Sequence, residues 1–268
     1  MTRRTRRSRA SHRLAAVTAL AVLALSGCSS PGSGSSSGAE GDAVTGTVTV
    51  FAAASLEQTF TELGERFEEE HPGTEVAFNF SGSDSLAAGI NNGAPADVFA
   101  AASAKTMKLV TDEGRTAGRP DTFVRNRLQI ATAPGNPHGI RSLKDLTAPG
   151  LKVVLCDRTV PCGAAARTAL AAGGVGLTPV SYEQDVRSAL TKVELKEADA
   201  ALVYGTDVRA AGDKVEGVHF PESAEAVNDY PIARLADAPN PSAAKAFVEL
   251  VTSAEGRRVL GEAGFLQP

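Results

Sequence analysis

Short β-rich runs alternate with helical patterns from Thr47 almost to the C-terminus, and that alternation confines the chain to an α/β architecture. Thr47 to Phe51 reads as a strand. Leu56, Phe60, Leu63 and Phe67 then recur at helical spacing, so 56–70 form an amphipathic helix that Pro72-Gly73 stops. Val76, Phe78 and Phe80 alternate as a second strand. Leu86 to Asn91 is a short helix closed by Gly93, and Asp97 to Ala101 is a third strand. A second set begins near Asn126. It holds strands at 128–132 and 151–155, an Ala-rich helix at 163–172, a helix at 185–193 and a strand at 200–204. Val218 to Phe220 and Pro231 to Leu235 bring the chain back, and 241–264 are two helices. The expectation is a mostly parallel sheet in each of two lobes. Residues 47–124 with 221–268 make one lobe and 125–220 the other, with two chain crossings as a hinge and a cleft between them.

Two junctions carry the chemistry. Phe51-Ala52-Ala53-Ala54-Ser55-Leu56 and Phe80-Ser81-Gly82-Ser83-Asp84-Ser85-Leu86 each read as a strand end, a serine and a first helical turn. A helix start exposes unpaired N–H groups and the positive end of the dipole. Two such starts facing one cavity hold a small anion without any charged side chain. Ser55 and Gln58 also have capping-box spacing, so Ser55 reads as an N-cap worth about 1 kcal/mol. Ser83 reads the same way, with Ser81 and Ser85 as rivals for the contact with the anion.

The N-terminus reads as a targeting segment, outside the fold. Arg3, Arg4, Arg6, Arg7, Arg9 and Arg13 precede an apolar run from Leu14 to Leu25 that is short for a membrane span. Leu25-Ser26-Gly27-Cys28 looks like the lipobox of bacterial lipoproteins, in which the Cys becomes an acylated N-terminus. Residues 1–27 are then a signal peptide and 28–46 an anchored, Ser/Gly-rich tether, which places the folded part outside the cytoplasmic membrane. General and twin-Arg export both remain open. Losing residues 1–27 removes six arginines and moves the formal net charge from −4 to −10. That charge argues against a nucleic-acid partner, and it means any anion is held by local donors rather than by the overall field.

Cys156 and Cys162 lie six apart in a chain read as exported, where a disulfide is favoured over free thiols. No His or third Cys near the pair supports a metal site. His71, His138 and His219 are isolated and read as surface or loop residues. Asp97 reads as structural, since a carboxylate repels an anion. No general base, nucleophile pair or metal set marks an enzyme.

The chain from about Thr47 onward resembles the molybdate-binding proteins of bacterial ABC importers. The resemblance rests on the two serine segments, on Gly93-Ala94-Pro95-Ala96-Asp97-Val98-Phe99, and on Val160-Pro161-Cys162-Gly163. It continues through Asp185-Val186-Arg187, Val203-Tyr204-Gly205-Thr206-Asp207, Tyr230-Pro231 and Gly264-Phe265. It implies the two-lobed type II periplasmic-binding-protein fold and capture of a tetrahedral oxyanion by neutral hydrogen bonds. It places the hydroxyl and N–H of Ser55 and Ser83, the N–H of Cys162, the N–H of Val186 and the hydroxyl of Tyr204 on the anion. At Cys162 the family usually has Ala. The implied ligand is molybdate or tungstate, with no cofactor and no bare metal ion. The implied partner is an ABC importer permease, and the protein is expected to be a monomer.

Such a donor set suits a dianion that offers acceptors only. Phosphate near neutral pH keeps a proton and seeks an acceptor that the set lacks. Sulfate is shorter-bonded and underfills a molybdate-sized pocket. Another small ligand, such as sulfate, ferric iron or a polyamine, is the rival reading, and an exported enzyme on the same scaffold is a third. Iron and polyamine sites need clustered Tyr, Asp or Glu, and the chain has three Tyr in all.

Overall fold

The structure, a computed structural model, describes residues 44–268. The signal-peptide, Cys28 and most of the tether readings fall outside those residues. The chain runs β1 (Gly46–Ala53), α1 (Glu57–Glu70), β2 (Thr74–Ser81), α2 (Ser83–Asn91), β3 (Val98–Ala100), α3 (Ala104–Thr111) and β4 (Asp121–Asn126). It continues through β5 (Leu128–Thr132), β6 (Val153–Cys156), α4 (Pro161–Ala172), β7 (Ser181–Glu183), α5 (Val186–Glu194) and β8 (Ala200–Tyr204). It ends with α6 (Gly205–Ala211), β9 (Glu216–Val218), β10 (Asn228–Arg234), α7 (Pro241–Thr252) and α8 (Ala254–Glu262).

Two five-stranded sheets result, ordered β2-β1-β3-β10-β4 and β7-β6-β8-β5-β9. The α/β, two-sheet class agrees with the reading of the sequence. Four of the five strands in each sheet also run the same way, as a mostly parallel sheet requires, and one runs against them. In the first sheet β1 runs parallel to β2 and β3, but β10 is antiparallel to both β3 and β4. In the second, β6 is parallel to β7 and β8, while β5 is antiparallel to β8 and β9. Each sheet is therefore mixed. The cause is the route between sheets. The chain leaves β4 for β5 through Arg127 alone and returns from β9 to β10 through 219–227, so each crossing delivers a strand that runs against the βαβ units.

The first sheet is covered on both faces. On one side Phe60 and Phe67 of α1 and Phe247 of α7 are fully buried; Phe60 and Phe247 meet edge-on, with ring centroids 5.9 Å apart. This side explains the i, i+3/i+4 pattern of α1, and truncating Phe60 to Ala costs about 3–5 kcal/mol. On the other side Phe51, Phe99, Leu86, Ile90 and Met107 form a separate cluster under α2 and α3. With both faces buried, β1 reads as a near-continuous apolar run. Asp97 is 1 % exposed and structural, as expected: it accepts from the Thr49 N–H at 2.7 Å and from the Asn240 N–H. That ties β1 to the turn before α7.

Candidate functional site

Four helix starts converge between the two sheets. Ala54–Leu56 forms a 3-10 turn leading into α1, and α2 begins at Ser83. These rise from the ends of β1 and β2 in the first sheet. From the second sheet come α4, opening with Pro161 and Cys162, and α5, opening with Val186. Together they enclose a cavity with about 220 Å³ of empty space, its mouth included. Ser55, Ser83, Cys162, Val186 and Tyr204 all line it, so the five residues expected to hold the anion lie around one cavity. Backbone N–H groups in the first turn of a helix have no intrahelical acceptor, so those of Ser55, Ser83, Cys162 and Val186 are donors in need of partners. The positive dipole ends add to the same potential.

Among the residues lining this cavity, Asp185 alone carries a charged side chain. Its carboxylate is engaged as the cap of α5, accepting from Ser188 N–H at 2.8 Å and from the Ser188 hydroxyl at 3.0 Å. No Lys or Arg lines the cavity. Arg187 instead pairs with Glu57 at 3.3 Å, linking α5 to α1 across the cleft outside it.

The capping reading of Ser55 is corrected. Leu56 occupies the cap position of α1 and no side-chain cap bond forms. Ser55 sits one residue earlier, within the 3-10 turn, and its Oγ meets the Tyr230 hydroxyl at 2.9 Å. Ser83 is the first residue of α2, 1 % exposed, and its Oγ accepts from the Ala102 N–H at 3.0 Å. Tyr204 ends β8, buried, and its hydroxyl accepts from Asn228 Nδ2 at 2.7 Å. Burial drives the Tyr204 phenol well above the usual tyrosine range, with the nearby Tyr230 and Asp207 adding to it, so it stays a donor.

Cys156 and Cys162 are joined by a disulfide. It closes the loop from β6 to α4 and fixes the first turn that carries the Cys162 N–H. Gly163 is required beside it: a Cβ there falls 1.8 Å from the Asp157 carbonyl oxygen. His138 and His219 are exposed, and His71 is half-buried, packing on Phe67. Among the described residues no group of three or more His, Cys, Asp and Glu is placed to hold a metal ion.

Asp207, Asn126, Asn228 and Tyr230 surround this cavity from behind and were not singled out as site residues. Asp207 is buried and accepts from the Tyr204 N–H at 2.9 Å. Burial pushes its carboxyl up to about 7, against the pull of that N–H and of Arg187. The Tyr-Gly-Thr-Asp run held a signal for it, a carboxylate three residues after the strand end. Asn126 and Asn228 are lone amides in strands and carry no such signal.

A two-sheet α/β protein with a cavity between its halves that helix starts and hydroxyls line, and no cationic side chain, has the build of a solute-binding protein. A model of the bacterial extracellular solute-binding protein family matches residues 48–266, and the chain belongs to that family, one of binding proteins rather than enzymes. The chain is 47% identical over 222 residues to the molybdate-binding protein ModA of Mycobacterium tuberculosis, covering 83% of this chain and 85% of the relative. It is 32% identical over 232 residues to ModA of Escherichia coli, covering 82% and 89%. The solved periplasmic molybdate-binding protein of Azotobacter vinelandii matches with a TM-score of 0.72 at 20% identity, covering 82% of this chain and 99% of that one, a likeness of fold.

Proposed function

We propose that this protein captures molybdate, or the near-identical tungstate, outside the cell membrane and delivers it to an ABC importer permease without changing it covalently. The observation that carries this reading is the meeting of Ser55, Ser83, Cys162, Val186 and Tyr204 around one cavity that no cationic side chain lines. Three hydroxyls and four backbone N–H groups face a ligand that only accepts. Hydrogen bonds to a charged group contribute about 1.5–3 kcal/mol each. Lost translational freedom and lobe closure take several kcal/mol back. The remainder reaches about −8 kcal/mol, a micromolar site or tighter. The family and the two ModA relatives support the ligand class.

In this reading residues 47–124 with 221–268 form one lobe and 125–220 the other, and the lobes close on the anion as a monomer. A lipidated Cys28 holds the protein to the outer face of the membrane. Isothermal titration with molybdate, tungstate, sulfate and phosphate tests the ligand. Molybdate and tungstate should bind at least a hundredfold more tightly than the other two, and equal affinity for sulfate or phosphate overturns the assignment. Labelling with an alkyne fatty acid should mark the protein and should fail on Cys28→Ala.

A further inference from the structure

We infer that Tyr230, Asn126 and Asn228 are positioning residues that set the direction of the hydroxyl protons in the cavity, so that it accepts a fully deprotonated tetrahedral dianion and rejects the same ion carrying one proton. This rests on the oxyanion reading of the site. A hydroxyl is ambivalent by nature, able to donate or accept. Three of them in one pocket would tolerate a protonated anion unless something behind them took up their accepting side.

Each of the three has such a partner. Ser83 Oγ receives the Ala102 N–H, a backbone donor that cannot reverse its role. Tyr204 receives Asn228 Nδ2 at 2.7 Å. The same Nδ2 donates to the Ala102 carbonyl at 2.7 Å, and a carbonyl only accepts, so the amide is held with its NH₂ toward Tyr204. Ser55 needs one further step. Asn126 is 2 % exposed, and its Oδ1 accepts from the Arg127 N–H at 3.0 Å, which fixes which end is NH₂. That NH₂ reaches Thr206 Oγ1 at 2.8 Å and the Tyr230 hydroxyl at 3.4 Å. An amide nitrogen has no lone pair to offer, so the Tyr230 proton points away from Asn126; in the proposed arrangement it goes to Ser55 Oγ at 2.9 Å rather than to the neighbouring Tyr204 hydroxyl. Ser55 has then accepted, and its own proton is left for the cavity. Burial holds the Tyr230 phenol far above the usual range, so it remains a donor.

All three positioning residues sit beside the crossings between sheets, Asn126 at the end of β4 and Asn228 and Tyr230 on β10. The Asn228–Tyr204 bond runs from the first sheet to the second. The donor pattern is therefore complete only when the halves are together.

Hydrogen arsenate at pH 8 is the matched probe: it is tetrahedral, doubly charged and carries one proton where molybdate carries none. Titrating the full chain with both anions gives a ratio of affinities. Wild type should favour molybdate by about a thousandfold or more. Tyr230→Phe keeps the ring and frees Ser55 to accept, so the ratio should fall about tenfold, while Ser55→Ala, which removes the hydroxyl, should weaken molybdate without recovering arsenate. Asn228→Ala, at a half-buried position, removes the donor to Tyr204 without adding a charge, frees that hydroxyl to accept, and should lower the ratio by a similar factor. If Tyr230→Phe does not fold, Asn228→Ala decides alone. Loss of affinity for both anions by the same factor, or no change in either, overturns the positioning role. A wild-type protein that does not bind molybdate overturns the oxyanion reading itself, and this inference with it.

Discussion

Gly82→Ala separates closing from folding. Gly82 caps α2 with φ −58° and ψ 133°, a conformation open to any residue, so alanine costs the backbone little. Its neighbour across the cleft is the obstacle. A Cβ built on Gly82 falls 2.6 Å from the Gln184 carbonyl oxygen, where ordinary contact begins at 3.4 Å, so the two segments must part by the difference, about 0.8 Å. A donor bond of about 2.9 Å stretched by that amount reaches about 3.7 Å and is lost. The groups at risk are those from the second sheet: the N–H of Cys162 and Val186 and the Tyr204 hydroxyl. Losing one or two bonds to a charged ligand removes about 2–4 kcal/mol, a weakening of about 30- to 1,000-fold. Titration calorimetry reads the affinity, and differential scanning calorimetry of the ligand-free variant should give a melting temperature near wild type. Wild-type affinity in Gly82→Ala would refute the claim that the anion is gripped from both sides at once.

Asp207 gives the pH dependence. Its carboxyl titrates near 3.8 unfolded and about 7 when buried, so between those values the folded form holds a proton that the unfolded form has lost. Stability from this group is complete below about pH 4 and fades as pH rises through 7, by up to about 4 kcal/mol. Asp207→Asn keeps an acceptor for the Tyr204 N–H and should flatten the melting temperature between pH 5 and 8; an unchanged slope removes Asp207 as the cause. Replacing Cys156 and Cys162 by Ser should cost about 2 kcal/mol by loop closure, and it should weaken anion binding by loosening the start of α4; thermal melts with and without reductant check the first part. Glu57→Gln should change affinity less than about threefold, because both partners of the Glu57–Arg187 pair are more than a third exposed.

The long, periodic elements were legible in the sequence. Leu56, Phe60, Leu63 and Phe67 announce α1, and Val76, Phe78 and Phe80 announce β2. Strands of three residues escape or shift: Ser181–Glu183 gave no alternation to read, and the strand expected at 218–220 lies at Glu216–Val218. β4, α3 and α6 were missed, each short and flanked by Gly, Ser or Pro that read as loop. Ser55 and Ser83 are legible because helix starts after strands are local signals, whereas Cys162, Val186 and Tyr204 come only through the resemblance to the molybdate-binding proteins. Tyr230 partners Ser55 across 175 positions, and no local pattern connects two residues that far apart. Ser55 itself was misjudged as a cap because spacing alone cannot see that a 3-10 turn shifts the helix by one residue.

The four helix starts that ring the cavity have a mechanical consequence. Each brings roughly half a positive elementary charge toward the same point. Two of them ride on one sheet and two on the other, so when the centre is empty the two halves push each other apart. A dianion at the centre reverses every one of those forces. In the proposed function the cargo is thus the latch of its own container.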